Sequence, residues 1–301
     1  MSEAIKMPIH GVAVDAGSGL EAAIRKARGK DTQPDDWLTF KRAVLTVLGP
    51  HATTVLVDAT CGPDLLSHYP TGCERMMAFE ADVYRISDED RITVLPDNLS
   101  ISDYPDFGVR LLKFFMYFDP DDPDDLNARK QDLVAGIGRL CVANDVRFLM
   151  EPLLFSRTSE QGTLAYARRK PELVRRATEA FAKPRFSIDV LKVEIPVDLN
   201  FVDGFGESIL SRQETLEAFR NAAAAAGDTP LVYLSAGVSF DRFEASLELA
   251  GEAGVTFAGF MCGRAIWSDA VEVFGREGET GLRDWLSDVG IDRLKKLIAA
   301  L

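Results

Sequence analysis

Eight short apolar runs recur along this chain, and each carries a polar or charged residue near its C-terminal end. They are GVAVD (11–15), TTVLVD (53–58), RMMAFE (75–80), VRLLKFFMYF (109–118), VRFLMEPLLF (146–155), VLKVEIPV (190–197), PLVYLSAG (230–237) and FAGFMCGR (257–264). Runs of this length, rich in Val, Leu, Ile and Phe, suit strands covered on both faces. Between most of them lie segments with apolar residues at helical spacing. Examples are LNARKQDLVAGIGRLCVAND (126–145), PELVRRATEAFAK (171–183), RQETLEAFRNAAAAAG (212–227) and SFDRFEASLELAGEAG (239–254), the last opening on Ser239 as an expected N-cap. Strand–helix alternation implies parallel βαβ units. Eight of them in 301 residues predict a single (β/α)8 TIM barrel spanning residues 1–301. The unit between the second and third runs, residues 59–74, is too short for a full helix.

The polar residues at the run ends are Asp15, Asp58, Glu80, Lys113, Glu151, Lys192, Ser235 and Arg264. In a barrel they converge on one mouth, where barrel active sites are built. Asp58 and Glu80 are expected to contact substrate, although strand-end carboxylates also cap loops and helix starts.

Lys192 is the most constraining of the set. Period-2 alternation places Lys192 and Glu194 on one face and Leu191, Val193 and Ile195 on the other, so the lysine points into the barrel. Burial and a neighbouring cation such as Lys113 disfavour the ammonium. A neutral amine attacks a carbonyl to form a Schiff base, and the iminium draws electrons from the adjacent carbon chain. Glu151, on the neighbouring strand about 5 Å away, is placed to move protons at that nitrogen. The structural alternative is a lysine locked in an ion pair with Glu151 or Glu194. At the last two strand ends, Ser235, Ala236, Gly237 and Gly263 expose backbone N–H groups, and Arg264 adds a bidentate cation, a pattern suited to phosphate.

Other classes are disfavoured. A net charge of −13, from 47 acidic and 34 basic residues, repels nucleic acid and anionic membranes. His10, His51 and His68 are dispersed, so neither a metal site nor a Ser or Cys nucleophile with a placed histidine is expected. No GxGxxG or P-loop occurs, and no cofactor is expected. Cys61, Cys73, Cys141 and Cys262 form no CxxC pair and read as free thiols of a cytoplasmic protein. No signal peptide or membrane span is evident at the start or elsewhere. The expected partner is a small sugar phosphate, with room for a homo-oligomer.

The blocks FLMEPLLF, RFSIDVLKVEIPV, VYLSAGVS and GEAGVTFAGFMCGRAIW resemble those of the class I tagatose-1,6-bisphosphate aldolases, a family that includes sulfofructose-phosphate aldolases. The resemblance implies Lys192 as the Schiff-base lysine, Glu151 as acid/base, Lys113 as its assistant and Asp15 as an active-site aspartate. It further implies that Ser235, Gly237, Gly263 and Arg264 hold the phosphate of the dihydroxyacetone-phosphate half. The family's usual DQR is here DAGSGL (15–20), so an amide and a guanidinium suited to the far end of the sugar are missing. Weaker preference for a phosphorylated aldehyde is therefore expected, unless another basic residue such as Arg157 replaces the lost one. The alternatives are an aldolase for a sulfosugar or other ketose phosphate, a different Schiff-base lyase or transaldolase, and a phosphosugar-binding regulatory barrel without turnover.

Overall fold

A computed structural model describes Ile5 and residues 7–301. Its strands are β1 (Ile9–Ala13), β2 (Thr54–Val57), β3 (Glu74–Ala78), β4 (Leu111–Phe118), β5 (Arg147–Leu154), β6 (Val190–Glu194), β7 (Leu231–Leu234) and β8 (Gly259–Cys262). All are parallel, they pair in chain order, and β8 closes onto β1, so the sheet is the closed eight-stranded barrel expected.

The helices are α1 (Ser18–Arg28), α2 (Asp36–Leu48), α3 (Gly62–Leu65), α4 (Asp124–Ala143), α5 (Leu164–Phe181), α6 (Arg212–Ala225), α7 (Phe240–Glu252), α8 (Arg264–Trp267), α9 (Ala270–Trp285) and α10 (Ile291–Ala299). The β2–β3 unit holds only the single turn α3 followed by a 3-10 turn, as its length requires. The β3–β4 connection departs more from the repeating pattern. Residues 79–110 carry only 3-10 turns, so no helix covers that side in the way the alternation implied.

One helix start differs from the sequence reading for a local reason. Helix α5 begins at Leu164, well before Pro171, because Thr163 accepts the Tyr166 N–H as N-cap; the proline then lies inside the helix. Ser239 does occupy the N-cap of α7, but its side chain accepts no capping bond. Several strands also stop short of their apolar runs. Asp15, Asp58, Glu80, Ser235 and Arg264 therefore sit one or two residues beyond a strand end, the first four in loops of the mouth and Arg264 at the start of α8.

Two separate cores follow from the period-2 rule. Residues between sheet and helices, such as Leu112, Phe114, Met150, Leu191 and Val193, pack in the larger. The barrel interior is filled by Leu56, Met76, Leu111, Leu149, Val190 and Val232 among others. Lys113, Glu151 and Lys192 each lie two residues after an interior residue of this second core, namely Leu111, Leu149 and Val190. They share its face and stand above its apolar floor.

Candidate active site

The parallel register brings these interior polar residues together. Ala78 is level with Lys113, and Met150 pairs with Leu191, which sets Glu151 beside Lys192. Lys192 Nζ donates to Glu151 Oε2 at 3.0 Å, and Lys113 Nζ lies 3.1 Å from the same oxygen. Lys113 also donates to Asp15 Oδ2 at 3.0 Å and to Glu80 Oε1. One carboxylate oxygen thus bridges two ammonium groups, and Lys113 is ringed by three carboxylates. Both lysines, Glu80 and Glu151 are buried. Of the two salt bridges considered for Lys192, the one with Glu151 forms. Glu194 shares the Lys192 face by register, but its carboxylate turns away, to the Leu154 N–H at 2.9 Å and Lys170 of α5 at 3.6 Å.

Burial penalises every charge in the cluster, and the outcome depends on the neighbours. For Lys113, Glu151, Glu80 and Asp15 outweigh desolvation and hold the ammonium pKa well above its ordinary value. Asp15 is desolvated too, yet Lys113 and Lys192 bring its pKa down to about 2. Glu80 goes the other way. Desolvation, helped by the like charges of Asp15 and Glu151, overrides Lys113 and raises its pKa to about 7. Its Oε2 is buried without a hydrogen-bond partner. Three carboxylates facing two ammoniums carry one negative charge in excess, and Glu80 is where a proton removes it near neutrality.

The cluster opens into a cavity of about 640 Å³ at the C-terminal mouth, a volume suited to a sugar phosphate. Asp15, Asp58, Glu80, Lys113, Glu151, Lys192, Ser235, Ala236, Gly237, Gly263 and Arg264 all line it, so every residue expected at the site reaches one space. On the β7–β8 side the backbone turns sharply. Ala236 has φ 48° and Gly237 φ 80°, left-handed conformations that cost an alanine energy. A Cβ at Gly237 would lie 2.9 Å from the Arg264 guanidinium carbon, so glycine there lets the cation lie against the turn. Lys113 and Lys192 are neutralised by carboxylates, whereas Arg264 has no ion pair among the described residues.

Asp58 differs from the other members. Its oxygens accept the N–H groups of Thr60 (2.9 Å) and Cys61 (3.0 Å), the Cys61 thiol, and buried Lys41 of α2. That is loop capping combined with a strand–helix tie, and it leaves little of the carboxylate for a ligand. Arg157 does not replace the arginine missing from DAGSGL. Its guanidinium bonds Asp122 at 2.5 Å and the Glu89 carbonyl at 2.8 Å, and it lies off the cavity wall.

The sequence reading missed Asp82, Phe115 and Cys262 on the same wall. Phe115 follows the period-2 rule from Lys113, whose Nζ stands 4.8 Å from its ring centroid, and could have been found that way. Cys262 ends β8, one residue after the interior Met261, and packs in the sheet–helix core while touching the cavity. Asp82 had no local signal, because its partner Ser18 is 64 residues away.

A closed (β/α)8 barrel with buried lysines and carboxylates above its apolar floor belongs to the barrel enzymes that work at the strands' C-terminal ends. The chain belongs, more specifically, to the DeoC/LacD family of aldolases, whose model matches residues 10–269. Its relatives include proteins named tagatose 1,6-diphosphate aldolase. One from Listeria monocytogenes serotype 4b (strain CLIP80459) is 32% identical over 292 residues, covering 96% of this chain and 86% of the relative. One from Staphylococcus aureus (strain MSSA476) is 34% identical over 299 residues, covering 96% and 90%. The fold is also similar to that of a fructose-bisphosphate aldolase from Plasmodium falciparum, with a TM-score of 0.72 at 14% identity over 98% of this chain and 91% of that one. A structure of a Schiff-base-forming fructose-1,6-bisphosphate aldolase aligns with a TM-score of 0.54 at 15% identity over 93% of each chain. The protein is thus an aldolase.

Proposed function

We propose that this aldolase is of class I, cleaving a ketose phosphate, tagatose 1,6-bisphosphate or a close relative, to dihydroxyacetone phosphate and an aldehyde through a Schiff base on Lys192. The observation that carries the reading is the Lys192–Glu151 pair, buried, at 3.0 Å, and open to the cavity. Lys192 Nζ, once its proton has passed to Glu151, attacks the C2 carbonyl. Glu151 returns a proton to the carbinolamine oxygen, and water leaves to give the iminium. When a base takes the proton of the C4 hydroxyl, the C3–C4 bond breaks, and its electron pair moves into the iminium to form an enamine. The aldehyde departs, C3 is protonated, and hydrolysis frees dihydroxyacetone phosphate. The iminium is the electron sink, so no step calls for a metal. Lys113, Asp15 and Glu80 set the field around this chemistry, and the β7–β8 turns with Arg264 take the phosphate of the retained half.

Release of dihydroxyacetone phosphate from a panel of ketose 1-phosphates and 1,6-bisphosphates, with chelator present, tests the activity. No release from any of them, or loss of release on chelation, would sink the reading. For the phosphate assignment, Arg264→Ala is expected to weaken dihydroxyacetone phosphate binding by about 1.5–3 kcal/mol, the scale of a charged hydrogen bond. Titration calorimetry measures it, and an unaltered affinity would place the phosphate elsewhere.

A further inference from the structure

We propose that Asp82 selects the aldehyde half of the substrate: its carboxylate occupies the first turn of α1 and turns away a far end that is anionic, so the preferred ketose carries an uncharged, hydroxylated far end. The inference rests on the aldolase reading above and, within it, selects a close relative with an uncharged far end over tagatose 1,6-bisphosphate itself.

Asp82 follows β3, and it lies on the cavity wall. Its Oδ2 accepts the Ser18 N–H at 2.5 Å and its Oδ1 the Ser18 hydroxyl at 2.6 Å. Oδ1 also takes the Tyr84 N–H at 3.3 Å. The approach depends on Gly17, where a Cβ would lie 2.0 Å from Asp82 Oδ2. The leading N–H groups of a helix favour an anion. Here the protein's own carboxylate takes that place, and it brings a negative charge to the wall.

Topology puts this charge at the far end of the substrate. In a closed barrel of eight strands in chain order, β3 lies across from β7. A ketose whose phosphate is held after β7 and β8, and whose C2 is joined to Lys192, points its other end across the mouth towards Asp82. The wall beside Asp82 is made by Ala16, Gly17, Ala81 and Val83, with no cation among them. Lys26 also lines the cavity, but it is eight residues beyond Ser18 on α1, about 12 Å along the helix. A second phosphate would meet a carboxylate with no cationic side chain beside it, in a chain of net charge −13, and like charges held together are costly. A hydroxyl can donate to Asp82.

The test is kcat/KM for aldol addition of dihydroxyacetone phosphate to glyceraldehyde 3-phosphate and to glyceraldehyde, in the wild type, Asp82→Asn and Ser18→Ala. Asparagine keeps an acceptor for the Ser18 N–H and removes the charge. The phosphorylated-to-neutral ratio is expected to rise by about tenfold or more in Asp82→Asn and to stay within about twofold of wild type in Ser18→Ala, which keeps the charge and loses only one bond. A ratio unmoved in Asp82→Asn, or raised equally in Ser18→Ala, would show a purely structural cap and overturn the proposal. The wild type is decisive even if a variant fails to fold. A preference for the phosphorylated aldehyde above about 10³, some 4 kcal/mol, overturns it directly. Proton exchange at C3 of dihydroxyacetone phosphate separates the two levels of the argument. Exchange without product from either aldehyde refutes the Asp82 assignment alone. Neither exchange nor product refutes the aldolase reading, and the inference with it.

Discussion

Replacing Lys192 with alanine is expected to lower aldol cleavage by roughly 10⁴–10⁶, the scale of losing a covalent nucleophile. Incubation of the wild type with substrate and borohydride is expected to leave one stable mass adduct, on Lys192. Two buried lysines face the cavity, so the choice between them needs a reason. Lys113 touches three carboxylates, which hold its pKa well above the ordinary value, and an amine locked as ammonium has no lone pair to offer. Lys192 touches one, Glu151. Glu151 divides its Oε2 between both lysines, so its attraction for the Lys192 proton does not come with the further anions that pin Lys113. An adduct on Lys113, or an active Lys192→Ala variant, would mean that the Lys192–Glu151 ion pair serves only to hold β5 against β6.

The parts of this site that the sequence made legible are those governed by strand periodicity. Once eight runs are recognised, Lys113, Glu151 and Lys192 fall on the interior face by counting in twos from Leu111, Leu149 and Val190; the register then sets Glu151 beside Lys192, with Lys113 level with Leu149 just below. The same rule assigns Leu191 and Val193 to the helix side, where they pack. What counting cannot supply is how a loop side chain spends its bonding capacity. Asp58 and Glu80 look alike as strand-end acids. Yet Asp58 is tied up by Lys41 and its own loop, while Glu80 keeps a free buried oxygen. That difference depends on α2, 17 residues before Asp58, and on a β3–β4 connection without a helix. The contact between Asp82 and Ser18 is of the same kind. It exists because Gly17 has no side chain and because β1 and β3 flank β2 on either side, and no local pattern announces it.

The second large effect is expected at Glu151. Glu151→Gln keeps the shape and an oxygen that can accept from Lys192, but it can no longer carry the proton that moves between nitrogen, carbinolamine oxygen and water. Turnover is expected to fall by roughly 10²–10⁴. Borohydride trapping should slow in parallel, because dehydration to the iminium is the step that loses its acid. Affinity for dihydroxyacetone phosphate is expected to change far less, since the proposed phosphate contacts lie on the β7–β8 side of the cavity. Glu80 is the obvious substitute, with its raised pKa and unpartnered Oε2. The variant itself weakens that substitute. The negative charge of Glu151 is one of the forces raising Glu80, so its removal makes Glu80 more acidic and leaves it ionised, and unable to donate, over more of the neutral range. Any residual activity that depends on Glu80 as an acid should therefore move to lower pH than the wild-type profile, where that carboxyl titrates at about 7. Unchanged turnover in Glu151→Gln would remove Glu151 from the proton path, and an alkaline limb moved to lower pH would then leave Glu80 as its carrier.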